Sequence, residues 1–121
     1  MWQRMRAQAL GTVLFVCSAN HDRSPTAEQL FHGWKGKWEA KSAGIMPAAH
    51  NPITQALIDW ADLILVMEPV HAKYIQGHFK CDPNKMHVLK IVDKYFRDDP
   101  ELIRELEEKA RPILDLAELA G

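Results

Sequence analysis

Val13-Leu14-Phe15-Val16-Cys17-Ser18-Ala19-Asn20-His21-Asp22-Arg23-Ser24-Pro25 decides how this chain is read. An apolar, β-branched and aromatic run ends in a cysteine, a short polar loop follows, and Arg23-Ser24-Pro25 opens a helix. Ser24 is a good N-cap residue, and Pro25 suits the first helical position, where a missing N–H costs nothing. Ala27, Leu30, Phe31 and Trp34 then recur at i, i+3, i+4 and i+7, one apolar helix face.

A loop entering a helix N-terminus aims several unpaired backbone N–H groups at one point, and the helix dipole adds positive potential there. Cys17, at the start of that loop, is expected to react as a thiolate. Arg23 closes the ring with a planar fork that fits two oxygens of a phosphate dianion. The sequence therefore predicts an oxyanion cradle, formed by Ser18, Ala19, Asn20, His21, Asp22 and Arg23, with a nucleophile at its floor.

This run resembles the low-molecular-weight protein tyrosine phosphatases, whose motif is an apolar strand followed by Cys-x5-Arg-Ser-Pro. Cys17, Asn20, Arg23, Ser24, Pro25, Ala27 and Glu28 stand where that family has them. The resemblance implies a phosphatase that cleaves phosphotyrosine or another aryl phosphate through a cysteinyl-phosphate. The Ser24 hydroxyl is expected to donate to the Cys17 thiolate and help the thiol leave, and Asn20 to hold the loop in a left-handed turn, which asparagine tolerates. It also implies an acid in an Asp-Pro-aromatic-aromatic run after the fourth strand. Asp93-Lys94-Tyr95-Phe96 fits, with Lys94 in place of proline, and offers Tyr95 and Phe96 to flank a phenyl ring. Asp99-Pro100 is the runner-up, but Asp-Pro is also how a helix starts, and a capping carboxylate is a poor acid. Asp98 is a distant third.

The chain departs from the family in places. Asp22 replaces a second loop cysteine, which leaves Cys81, in a turn, as the sole partner for a protecting disulfide; it is read as incidental. The segment between Ser42-Ala43-Gly44 and Ile53-Thr54 is short, and His50 is out of register with the family's histidine. His71 is read as a helix-surface or packing residue.

The remaining pattern is α/β. Lys37 to Ser42 alternates as a half-exposed strand, Asp62 to Met67 is a nearly uninterrupted apolar strand, and Met86 to Val92 is a fourth. Between them lie helical patterns: Ile53, Ala56, Leu57 and Trp60; Ala72, Ile75 and Phe79; and, after Asp98-Asp99-Pro100, Leu102, Leu106, Ala110 and Ile113. Strands alternating with helices predict one domain with a four-stranded parallel sheet and helices on both faces. Residues 1–9 read as a polar leader and 10–121 as the domain.

With 121 residues the chain builds one core, and a net charge of -1 gives no electrostatic case for nucleic acid or a membrane. Arg4 and Arg6 before the apolar Leu10 to Ala19 imitate a signal peptide, but cleavage near Ala19 would remove both strand and Cys17. Two cysteines make no disulfide framework, so the reading is cytoplasmic. No histidine spacing suggests a metal, and no cofactor is expected. Expected partners are a phosphorylated protein or small aryl phosphate, and inorganic phosphate or sulfate in the loop. Two rivals share the cradle: a glutathione- or glutaredoxin-coupled arsenate reductase, and a non-catalytic phosphate- or phosphotyrosine-binding module.

Overall fold

The computed structural model describes residues 11–120, so the leader proposed for residues 1–9 lies outside the described residues. β1 (Gly11–Cys17) leads through the cradle loop into α1 (Arg23–Phe31). β2 (Trp38–Gly44), α2 (Gln55–Trp60), β3 (Leu63–Val66), α3 (Pro69–His78), β4 (Met86–Val88) and α4 (Pro100–Ala120) follow. The sheet is wholly parallel, with strand order β2-β1-β3-β4. The predicted architecture is the one observed.

Alternation along β1 divides the core. Val13, Phe15 and Cys17 face α1 and α4, among Ala27, Phe31, Leu102, Leu106, Ala110 and Leu114. Leu14 and Val16 face α2 and α3, among Ile58, Ala61 and Ile75. All four central residues of β1 are fully buried, each contributing roughly 1.5–3 kcal/mol of hydrophobic stabilisation. The chain leaves β1 towards β2 and then crosses to β3 on the other side. The strand order thus reverses at β1, and the loop beyond Cys17 opens at the crevice where such sheets bind ligands.

Several element boundaries are corrected. β2 extends to Gly44, because its last three residues keep pairing with β1 through Cys17↔Gly44. In α2 the inward residue is Ile58, while Ala56 is exposed. In α4 Leu114 takes the buried position expected for Ile113, so the inward residues recur every fourth position. β4 is shorter than Met86 to Val92, because Lys90 has a left-handed backbone (φ +61°) that no regular strand carries. Pairing continues irregularly beyond it, with Leu89 N–H donating to Val66 O and Ile91 N–H to Met67 O. That extension delivers Ile91 and Asp93 to the crevice.

Candidate active site

Cys17 ends β1 and is buried. Its Sγ accepts from the Asn20 backbone N–H at 3.2 Å and lies 3.0 Å from Ser24 Oγ. The neighbours of that hydroxyl narrow where its proton points. Asn20 Nδ2 donates to Ser24 Oγ (2.8 Å) and to Ser42 Oγ (2.9 Å), using both amide protons. Ser42 in turn donates to Glu28 Oε1 at 2.5 Å. Ser24 Oγ–H then has Cys17 Sγ at 3.0 Å as its nearer acceptor and Ala43 O at 3.3 Å as the other. The Asn20 N–H and the Ser24 hydroxyl thus meet at one sulfur.

Ser24 is therefore not the helix cap. Asp22 holds the N-cap position of α1 without a side-chain cap bond, and Ser24 lies fully buried inside the first turn. The hydroxyl that would have capped the helix serves the Asn20–Cys17 network instead. Asn20 takes φ +55°, which turns its N–H back onto the sulfur.

The loop's carbonyl groups are held outward. Cys17 O, Ser18 O and Ala19 O accept from the N–H groups of Ile45 (3.1 Å), Met46 (3.0 Å) and His50 (3.0 Å). A planar peptide puts N–H opposite C=O, so the amides of Ser18, Ala19 and Asn20 turn towards the cradle interior. The short 45–50 segment thus clasps the cradle. Gly44 permits it: a Cβ there would stand 2.6 Å from Ser18 O and 2.8 Å from Asn20 N.

Arg23 is 2% exposed, and its Nη1 donates to Glu68 Oε2 (2.6 Å) and Ile91 O (2.7 Å). Nε stands 3.8 Å from Asp93 Oδ1, beyond hydrogen-bond distance. A cavity of about 50 Å³ over the sulfur is lined by Cys17, Ala19, His21, Asp22, Arg23 and Asp93. Asp93 faces this cavity from the loop after β4, with its side chain 65% exposed. Asp99 does not line it; its Oδ1 accepts the Glu101 N–H at the start of α4. Asp98 is held elsewhere, its N–H on Thr26 Oγ1 (3.0 Å).

The expected aromatic walls are placed differently. Tyr95 packs against the core and its hydroxyl is bonded to Glu105, which raises the phenol's pKa to about 12. Phe96 is 82% exposed, and neither ring lines the cavity. Asp22 stands on the cavity wall, with Oδ1 3.2 Å from Nδ1 of the exposed His21.

Two participants escaped the sequence reading. Glu68 N-caps α3 and reaches Arg23, a role foreshadowed only by its place just beyond the carboxyl end of β3. His71, read above as surface or packing, is fully buried between two polar partners. Its Nδ1 accepts the Glu68 N–H (3.0 Å), so the neutral ring carries its proton on Nε2, which donates to Ser18 Oγ (3.0 Å). Burial, reinforced by the Arg23 charge and partly opposed by Glu68 and Asp93, pushes its pKa down to about 4 from 6.5.

That shift has a sign. The folded pKa lies below the unfolded one, so the neutral ring's contribution is fully present above pH 6.5 and is lost as pH falls towards 4. The loss reaches on the order of 3 kcal/mol. Chemical denaturation at pH 7 and pH 4.5 is expected to show a larger drop for the wild type than for His71→Gln. Equal drops would remove His71 from the acid sensitivity.

Cys81 is half-buried and burial pushes its thiol pKa up, so the two cysteines sit in unlike environments. Among the described residues no cluster of three metal-ligating side chains occurs, and no helix is long and apolar enough to cross a membrane.

A strand-loop-helix cradle with cysteine at its floor and arginine at its rim is the arrangement of cysteine-dependent phosphatases. The described residues have the fold of the low-molecular-weight protein tyrosine phosphatases. The low-molecular-weight protein tyrosine phosphatase of T. tengcongensis superposes with TM-score 0.63 at 27% identity, over 89% of this chain and 98% of that one. The YwlE arginine phosphatase of Geobacillus stearothermophilus gives 0.66 at 26%, over 91% and 92%. The tyrosine phosphatase Wzb of Escherichia coli K30, solved with phosphate, shares the fold with TM-score 0.69 at 22%, over 88% and 97%. No family model and no curated protein matches the sequence.

Proposed function

We propose that the protein is a phosphatase hydrolysing phosphotyrosine or other aryl phosphate monoesters through a cysteinyl-phosphate intermediate. The observation that carries this reading is Cys17 Sγ, held by two donors at the floor of a cavity whose rim is Arg23. The phosphoryl oxygens take the inward amides and the Nε edge of Arg23. Cys17 attacks phosphorus in line, the S–P bond forms, and the P–O bond to the leaving group breaks as Asp93 protonates that oxygen. Water then attacks phosphorus, Asp93 takes its proton, and Ser24 donates to the departing thiolate. Phosphorylated protein or a small aryl phosphate is the proposed substrate, with inorganic phosphate or sulfate as ligands of the cradle. A thiol with this role has to stay reduced, which supports a cytoplasmic location.

One observation favours a second substrate class. The cavity wall holds two carboxylates, Asp22 and Asp93, beside the His21 imidazole, and no phenylalanine, tyrosine or tryptophan ring. A phosphoryl group carried on a cationic nitrogen, as in phosphoarginine, suits that wall better than a phenyl ester, and YwlE, which has the same fold, is named for arginine. Hydrolysis of p-nitrophenyl phosphate and of phosphoarginine near pH 5–6, with vanadate as inhibitor, tests both. Vanadate-sensitive turnover is expected, and the better substrate assigns the class. Absence of turnover with either would contradict the enzyme reading and leave a binding module.

A further inference from the structure

We propose that Glu68 is a positioning residue that presents the correct edge of Arg23 to the phosphoryl group. The inference rests on the phosphatase reading above. Arg23 carries five N–H groups in a rigid plane, and only one edge of that plane suits a phosphate. Nη1 has two protons, and both are spent, on Glu68 Oε2 (2.6 Å) and Ile91 O (2.7 Å). The N–H of Nε and those of Nη2 remain, on the side that includes Asp93 at 3.8 Å and the cavity over Cys17. Rotation of the guanidinium would break two short bonds, so the edge is set before substrate arrives.

The support behind Glu68 is itself fixed. Its backbone N–H is held by His71 Nδ1, and the same buried ring reaches Ser18 Oγ, next to the nucleophile. Met67 N–H donates to Val16 O (2.9 Å), tying the segment to β1. Residues 67–71 therefore grip the cradle at both ends: Ser18 through His71, and Arg23 through Glu68.

Charge alone argues the other way, which makes the inference testable by sign. A carboxylate on Arg23 offsets the positive charge that a dianion seeks, so if charge were all, removing it would tighten anion binding. If position governs, removing it frees the guanidinium and weakens binding. Glu68 shares a capping box with His71 at the start of α3, which the thermal melt monitors, and its side chain is 31% exposed, so its replacement spares the core.

The experiment compares wild type, Glu68→Ala and Glu68→Gln for p-nitrophenyl phosphate turnover and vanadate inhibition, with thermal melting as a folding control. Glu68→Ala is expected to lower kcat/KM and to raise the vanadate inhibition constant, each about ten-fold or more. Glu68→Gln keeps an oxygen acceptor for Nη1 and is expected to stay within about three-fold of wild type in both. Tighter vanadate binding by Glu68→Ala, unchanged values, or a Gln variant as impaired as Ala would each overturn the proposal while leaving the phosphatase reading intact. A wild type without turnover or vanadate binding would instead sink the phosphatase reading, and the proposal with it.

Discussion

Cys17→Ser is expected to leave no measurable turnover while the protein still folds and still binds phosphate or vanadate. Sulfur is the one atom at the cavity floor that receives both the Asn20 N–H and the Ser24 hydroxyl. A serine oxygen there stays protonated and is a far weaker nucleophile. The cradle's amides belong to the backbone and face inward because Ile45, Met46 and His50 hold the loop's carbonyls outward, so anion binding survives the change. Alkylation with iodoacetate is expected to label Cys17 ahead of Cys81, whose thiol burial pushes up, and phosphate is expected to protect Cys17. Labelling of Cys81 first, or turnover by Cys17→Ser, contradicts the assignment.

Asp93→Asn is expected to slow turnover of phenyl phosphate by about 10²–10⁴-fold, the range for a positioned general acid. The loss should shrink for p-nitrophenyl phosphate, whose leaving group hardly needs a proton. Asp93 is the carboxylate after β4 that lines the cavity beside Arg23. Asp99→Asn should lower stability only slightly, because asparagine caps a helix about as well as aspartate. Steady-state kinetics with the two esters separates the roles. A leaving-group-dependent defect in Asp99→Asn, with Asp93→Asn normal, would exchange them.

The sheet and the placement of its crevice were legible because periodicity survives in short segments: two faces along β1, and apolar helix stripes packing on each. The cradle was legible because its residue types are confined to neighbours in sequence. What lay beyond sequence reading depends on contacts across the fold. Glu68 meets Arg23 across 45 positions, and His71 meets Ser18 across 53, so no local pattern reveals either. Ser24 misled because the same hydroxyl serves as a helix cap or as a donor to sulfur, and only the Asn20 amide beside it decides. Tyr95 misled because a phenol finds Glu105, ten residues on, only once α4 has packed. The early end of β4 turns on one left-handed residue, Lys90, of a type that gives no warning.

The covalent intermediate is the centre of the account, and trapping it is the most direct test. Wild-type protein mixed with excess p-nitrophenyl phosphate, quenched in acid within a turnover and mapped by peptide mass spectrometry, should carry one phosphoryl group on Cys17. Asp93→Asn should accumulate more of it, since water then lacks its base for the second step. Turnover at the full rate with no phosphoryl group on Cys17, or with the label on another residue, would contradict the account.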